Sequence, residues 1–233
     1  MSRQCMLVAA GRKTYAEGLN LQKWAWEQVS AGAWHGALVL LEHFPVVTLG
    51  RGTSADEGLL WPAEDYSLHG IELVRCNRGG KTTCHNPGQL VGYPVLNLAQ
   101  WRQDSHWYLR SLEQVLINTG KWFGLSAGRK PGYTGVWIGD NKVAALGVSI
   151  RRWITSHGFA LNIDNDLSLF SSVVPCGIKE FGVTSLAAEG IAGLTMAEVA
   201  AVVSREFQQV LDCSLVPMSP FGSKKTVRSA AVT

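Results

Sequence analysis

Residues 135–163 read GVWIGDNKVAALGVSIRRWITSHGFALNI. Gly135 to Ile138 and Val143 to Ile150 are apolar runs too short to be helices, and Gly139, Asp140 and Asn141 between them are residues that accept turn conformations. The two runs therefore predict a hairpin, and Ser156 to Ile163 predicts a third strand behind it. Strands joined by tight turns pair antiparallel, which sets this chain apart from a doubly wound parallel sheet. The fold class that follows is α+β, with a mixed, largely antiparallel sheet flanked by helices.

On the N-terminal side of this stretch, Asp104 is placed to cap a helix. Its apolar set is Tyr108, Leu112, Val115, Leu116, Thr119, Trp122 and Phe123, spaced by threes and fours and stopped at Gly124. Thr14 with Glu17, and Thr195 with Glu198, have capping-box spacing. They predict an early helix carrying Leu19, Trp26 and Val29 as far as Gly32. They also predict a late helix carrying Met196, Val199, Val203, Phe207 and Leu211. Short apolar runs at Ala37 to Leu41, Ile71 to Cys76 and Leu90 to Leu98 predict further strands.

A chain of 233 residues with 46% hydrophobic and 17% charged residues has enough apolar surface for one core. A single domain is expected over residues 1–218, followed by a basic tail at 219–233 that carries Lys224, Lys225 and Arg228. Lys and Arg number 21 against 18 for Asp and Glu, too even a balance to serve as a nucleic-acid footprint. The apolar run Leu7 to Ala10 is too brief for an export signal, and no run approaches the ~20 apolar residues that span a bilayer. Five cysteines without a CxxC pair suggest neither a disulfide framework nor a zinc site. Reduced thiols in a cytoplasmic protein are expected, with no membrane partner and no metal.

Three segments concentrate the chemistry. RGGKTTCHNPGQLVGYP, residues 78–94, places paired glycines after a strand, where main chain can approach a ligand closely. Lys142 opens a strand of small residues. VVPCGI, residues 173–178, holds Cys176 between Pro175 and Gly177, a loop context that presents a side chain. Cys84 adjoins His85, but neighbouring strand residues point to opposite faces, which argues against direct activation of that thiol.

Taken together and in this order, the segments resemble the lipoyl(octanoyl) transferases of the lipoate and biotin protein ligase superfamily. Arg78, Gly79, Gly80, Thr83, His85, Pro87, Gly88, Gln89 and Tyr93 match that family's signature. Cys84 stands where the family has an aromatic residue and Asn86 where it has glycine. The resemblance implies a sheet similar to the biotin/lipoate ligase catalytic domain, Cys176 as the acyl-thioester nucleophile and Lys142 as its catalytic partner. It implies a substrate pocket of Arg78, Gly79, Gly80, Lys81, Thr82, Thr83, Cys84 and His85, with Ala145, Leu146, Gly147, Gly158, Phe159 and Ala160 along the acyl chain.

The donor that the resemblance implies is octanoyl-acyl carrier protein. The acceptors are lipoyl domains of 2-oxoacid dehydrogenases and the glycine cleavage H protein, served by a monomer without cofactor or ATP. His85 would orient the thioester carbonyl. A free thiol with a pKa of about 8.5 is only ~3% thiolate at pH 7. Lys142 would raise that fraction as an ammonium, or take the proton as an amine, and the residues do not choose between the two. The alternatives of nearest chemistry are an ATP-dependent lipoate ligase and an octanoyl amidotransferase between protein domains. A non-catalytic acyl-binding protein is the alternative of another class.

Overall fold

The computed structural model describes residues 3–54, 57–174 and 181–219. Cys176, Pro175, Gly177 and all of the basic tail after Ser219 lie outside the described residues. The N-terminal half runs β1 Arg3–Lys13, α1 Tyr15–Ser30, β2 Gly36–His43, β3 Val46–Leu49, α2 Ala63–Leu68, β4 Glu72–Arg75, β5 Thr82–His85 and β6 Gln89–Leu96. Then come α3 Ser105–Trp122, β7 Gly128–Lys130, β8 Tyr133–Ile138, β9 Asn141–Arg151, β10 Ile154–Asn162, β11 Gly182–Val183, α4 Met196–Leu211 and β12 Cys213–Pro217.

The expected helix starts are present as reciprocal caps. Thr14 Oγ1 accepts the Glu17 N–H at 3.2 Å while the Glu17 carboxylate accepts the Thr14 N–H at 2.8 Å. Thr195 and Glu198 repeat the pattern at 3.2 and 2.8 Å. Asp104 Oδ1 accepts from His106 and Trp107 at 2.9 and 3.0 Å, satisfying amides that α3 leaves unpaired.

The main sheet has the order β12-β1-β2-β6-β10-β9-β8-β7, with β11 added beside β9. From β2 through β7 every neighbouring pair is antiparallel, whereas β12, β1 and β2 run parallel and β11 runs parallel to β9. The mixed, largely antiparallel sheet expected from the hairpin is thus observed. A second, three-stranded sheet, β4-β3-β5, stands apart from it.

Helix α1 packs Leu21, Ala25 and Val29 on one face of the main sheet, against Val39, Val91, Tyr93 and Ala160. On the other face α3 and α4 bring Leu112, Leu116, Val203 and Phe207 against Leu38, Leu90, Phe159 and Leu161. Coverage on both faces is why all of β6 is buried and reads as a continuous apolar run. The small sheet shields a third cluster of Val47, Tyr66, Cys84 and Phe170. No helix among the described residues is long and apolar enough to cross a membrane.

Leu19 and Trp26 are only half-buried, because the α1 stripe that meets the sheet is Leu21, Ala25 and Val29. Trp122 is 60% exposed at the end of α3, where the Arg205 guanidinium lies 3.6 Å from its ring centre.

A buried carboxylate ties α3 to β7 and β8. Glu113, 1% exposed, accepts from Arg110 Nη1 at 2.7 Å and Arg129 Nε at 2.9 Å on one oxygen, and from the Gly135 N–H at 3.2 Å on the other. Removing Glu113 strands the buried Gly135 N–H while Arg110 and Arg129 stay part-exposed, so Glu113→Ala is expected to cost about 1–3 kcal/mol. Urea denaturation of the two proteins checks this, and a loss under about 1 kcal/mol would contradict it.

Candidate active site

The site begins with small residues on β9 and β10. Ala145 pairs with Ala160 and Gly147 with Gly158, so four short side chains meet on one face and leave a slot along the hairpin. A Cβ on Gly147 would stand 3.2 Å from Arg78 Cδ, so larger residues would fill it. Leu146 and Phe159 also border the slot, and both pack into the core beneath.

Residues 78–85 form the roof. Arg78 is 8% exposed, and its guanidinium donates to Thr48 O and Thr48 Oγ1, both at 2.7 Å, and to Gly79 O at 3.1 Å. The same loop is zipped to the Gly50 to Gly52 turn, with Arg51 N donating to Arg78 O and Gly52 N to Gly80 O, each at 3.0 Å. Gly79 N donates to Val148 O of β9 at 2.8 Å. The roof is therefore bonded to both sheets, and Arg78 acts in it as an internal clamp that also edges the slot.

Period-two alternation sorts the remaining predicted residues. Thr83 and His85 face the slot, and Gly80 and Lys81 edge it. Lys81 Nζ is engaged by Glu57 at 2.7 Å. Thr82 and Cys84 point the other way and are not brought to the slot. Thr82 lines a separate cavity, and Cys84 is fully buried in the third cluster with Sγ 3.7 Å from Leu169 O. Gly79 contributes backbone bonds and does not line the slot.

Lys142 stands where the slot narrows into a small second cavity, bordered also by Thr83, Ala145, Ala160 and Asn162. It is 6% exposed, with Nζ 4.8 Å from the centre of the Trp137 ring. Gly135, at φ 136°, gives this stem its room, since a Cβ there would lie 3.1 Å from Lys142 Cε and 2.9 Å from Ala144 O. The backbone of Lys142 is held from the other side by Val183 of β11 and by Thr184 N at 3.0 Å. The described chain stops at Val174, bonded to Gly58 O at 2.8 Å, and resumes at Phe181, whose ring centre lies 5.6 Å from that of Trp137.

A polar layer lies beside the slot, made of Tyr93 from the signature with His157 and three residues that the sequence reading missed, Tyr15, His43 and Gln22. His43 Nδ1 donates to Lys13 O at 3.0 Å, so Nε2 accepts from the Tyr93 hydroxyl at 2.6 Å. Burial holds His43 below the usual histidine range. Gln22 Oε1 accepts the His157 N–H at 2.6 Å, while its Nε2 has no hydrogen-bond partner among the described residues. Tyr15 opens α1 directly after the Thr14 cap, and His43 ends β2. A signal for them existed in those element ends, but nothing local marks the slot they turn toward.

The tautomer of His85 is set by a one-way relay. Asn162 Nδ2 donates to Thr184 O at 2.9 Å, Gln89 Nε2 donates to Asn162 Oδ1 at 2.8 Å, and Gln89 Oε1 therefore accepts from His85 Nδ1 at 2.7 Å. Burial, with the neighbouring His43, pulls the His85 pKa down to about 3, so the ring is neutral at pH 7 and Nε2 is a lone pair. A lone pair does not donate to a carbonyl oxygen. The orienting role expected of His85 conflicts with this tautomer, which suits accepting a hydrogen bond.

An apolar slot that ends at a buried lysine suits a hydrocarbon chain whose reactive end meets that side chain. Residues 14–208 match the family model described as the lipoyl protein ligase A/B catalytic domain. The octanoyltransferase of Clostridium kluyveri is 44% identical over 203 residues, covering 87% of this chain and 86% of that protein. Among solved structures, the bi-partite lipoate protein ligase of Thermoplasma acidophilum superposes with a TM-score of 0.69 at 20% identity, over 94% of this chain and 88% of that one. The biotin protein ligase of Aquifex aeolicus does so at 0.51 and 10%, over 89% and 70%. These two likenesses concern the fold.

Proposed function

This chain belongs to the lipoyl protein ligase A/B catalytic-domain family, and from that premise we propose that it is an octanoyltransferase working through a thioester on Cys176. The observation that carries the reading is Lys142, a buried lysine set where an apolar slot narrows into a second cavity. In the first half-reaction the Cys176 thiolate attacks the carbonyl carbon of an octanoyl thioester on an acyl carrier protein. The new C–S bond forms as the old one breaks, and the departing pantetheine thiolate takes up the proton that Cys176 gave to Lys142.

In the second half-reaction the amine of an acceptor lysine attacks the enzyme thioester. A C–N bond forms, the Cys176 C–S bond breaks, and the amine proton passes through Lys142 to the sulfur. Thioester exchange is nearly balanced and amide formation runs downhill, so this reading needs no ATP. Lipoyl domains of 2-oxoacid dehydrogenases and the glycine cleavage H protein are the acceptors in this reading, in the cytoplasm, with the chain acting as a monomer. Support for Cys176 comes from the described residues that follow it, since Phe181 packs against Trp137 and Val183 pairs with Lys142, while Val174 before it bonds to Gly58.

A single-turnover reaction with octanoyl-carrier protein and an apo lipoyl domain tests the reading. Peptide mass spectrometry should find a transient octanoyl adduct on Cys176, followed by an octanoyl amide on the lipoyl domain. Pyrophosphate release on adding lipoate and ATP, with no transfer from the carrier, would overturn it.

A further inference from the structure

Three cavities follow one another along the β9-β10 hairpin. Lys142 and Asn162 line the first, which shares Ala145 and Ala160 with the slot. Gly147 and Gly158 continue the slot, and Ser149, Arg151 and Ser156 border an open groove of about 610 Å³ beyond it. Among the described residues, His157 is the one that lines both slot and groove.

His157 reaches this position by breaking the strand's alternation. Phe159 and Leu161 face the α3 side of the sheet, and an odd-numbered neighbour in regular β-conformation would join them. At φ 57° the backbone instead turns the imidazole to the α1 side, where Nε2 lies 2.6 Å from Asn77 Oδ1 and the ring stands edge-on to Tyr93 at 6.4 Å. With its N–H held by Gln22 and only 3% of the residue exposed, the ring is fixed across the end of the slot. A non-glycine residue held in this backbone region is a constraint that the surrounding structure maintains.

We propose that His157 is the stop that sets the length of the acyl chain, a role that rests on the slot being the acyl site. Measured from Ala145, where slot and Lys142 cavity meet, the partner of His157 is Val148, three residues on, or about 10 Å at a strand rise of about 3.4 Å. A saturated chain of bonds near 1.5 Å advances about 1.3 Å per carbon, so eight carbons fill about 10 Å. The methyl end of an octanoyl chain then abuts the imidazole. Without the ring, slot and groove become one channel.

The test compares kcat/KM for carrier protein loaded with octanoyl or dodecanoyl chains, in wild type, His157→Gly and His157→Asn. Glycine and asparagine both tolerate the backbone at this position, and asparagine keeps a polar side chain should the glycine variant fail to fold. Dodecanoyl transfer relative to octanoyl is expected to rise about tenfold or more in His157→Gly and by less in His157→Asn. An unchanged ratio in a folded variant that still transfers octanoyl overturns the stop. Melting-temperature shifts with free octanoic and dodecanoic acid supply a second readout. If wild type transfers neither chain, yet its preference for the shorter acid vanishes in His157→Gly, the transfer reading fails and the stop stands.

Discussion

Cys176→Ser is expected to remove the octanoyl adduct and to slow amide formation by about 10³-fold or more. A serine hydroxyl is essentially never ionised at neutral pH, whereas a thiol near a cation is in part thiolate. Losing a covalent nucleophile typically costs several orders of magnitude. Intact-mass measurement after incubation with octanoyl-carrier protein checks the adduct. Cys84 is the informative control. It is fully buried among Val47, Tyr66 and Phe170, away from the slot, so Cys84→Ser should leave the adduct in place. An adduct that survives Cys176→Ser and is lost with Cys84→Ser would sink the assignment.

Lys142→Met is expected to lower amide formation by about 10²–10⁴-fold, the range spanned by general acid–base catalysis. Methionine keeps much of the stem that fills the space beside Gly135, and exchanging a buried polar end for an apolar group is often neutral or stabilising. The melting temperature should therefore hold while the rate falls, which separates lost chemistry from lost fold. Near-normal turnover would remove Lys142 from the mechanism. Lys142→Arg divides its two roles: if only positive charge is needed, the thiol keeps its reactivity toward iodoacetamide, and if a proton acceptor is needed, amide formation stays as low as in the methionine variant.

Elements with short-range signals were legible in the sequence. The Thr14, Asp104 and Thr195 caps and the Gly139 to Asn141 turn each work within a few residues, and each appears where the spacing puts it. Strand β1 carries no legible strand pattern, because its pairing to β2 and β12 is long-range and Gly11, Arg12 and Lys13 obscure it. Strand β5 was hidden inside what reads as a glycine loop. In the site, the alternation argument that turned Cys84 away from His85 holds, and it removes Thr82 from the slot as well. His157 could not have been found this way, since its left-handed backbone reverses the face that a period of two assigns. The Gln89–Asn162 relay joins residues 73 apart, and no local pattern carries it.

The place of β1 between β2 and β12 has a consequence for how the chain matures during synthesis. Arg3 to Leu7 are synthesised more than two hundred residues ahead of their outer partners, Cys213 to Pro217. Until then β1 presents an open row of backbone donors and acceptors, the kind of edge that recruits other chains. Capturing that edge is among the most non-local contacts in the fold, and contacts of this kind slow folding. A nascent chain halted before residue 213 would keep its sheet open along β1, so that β12 is the seal on a strand made long before it.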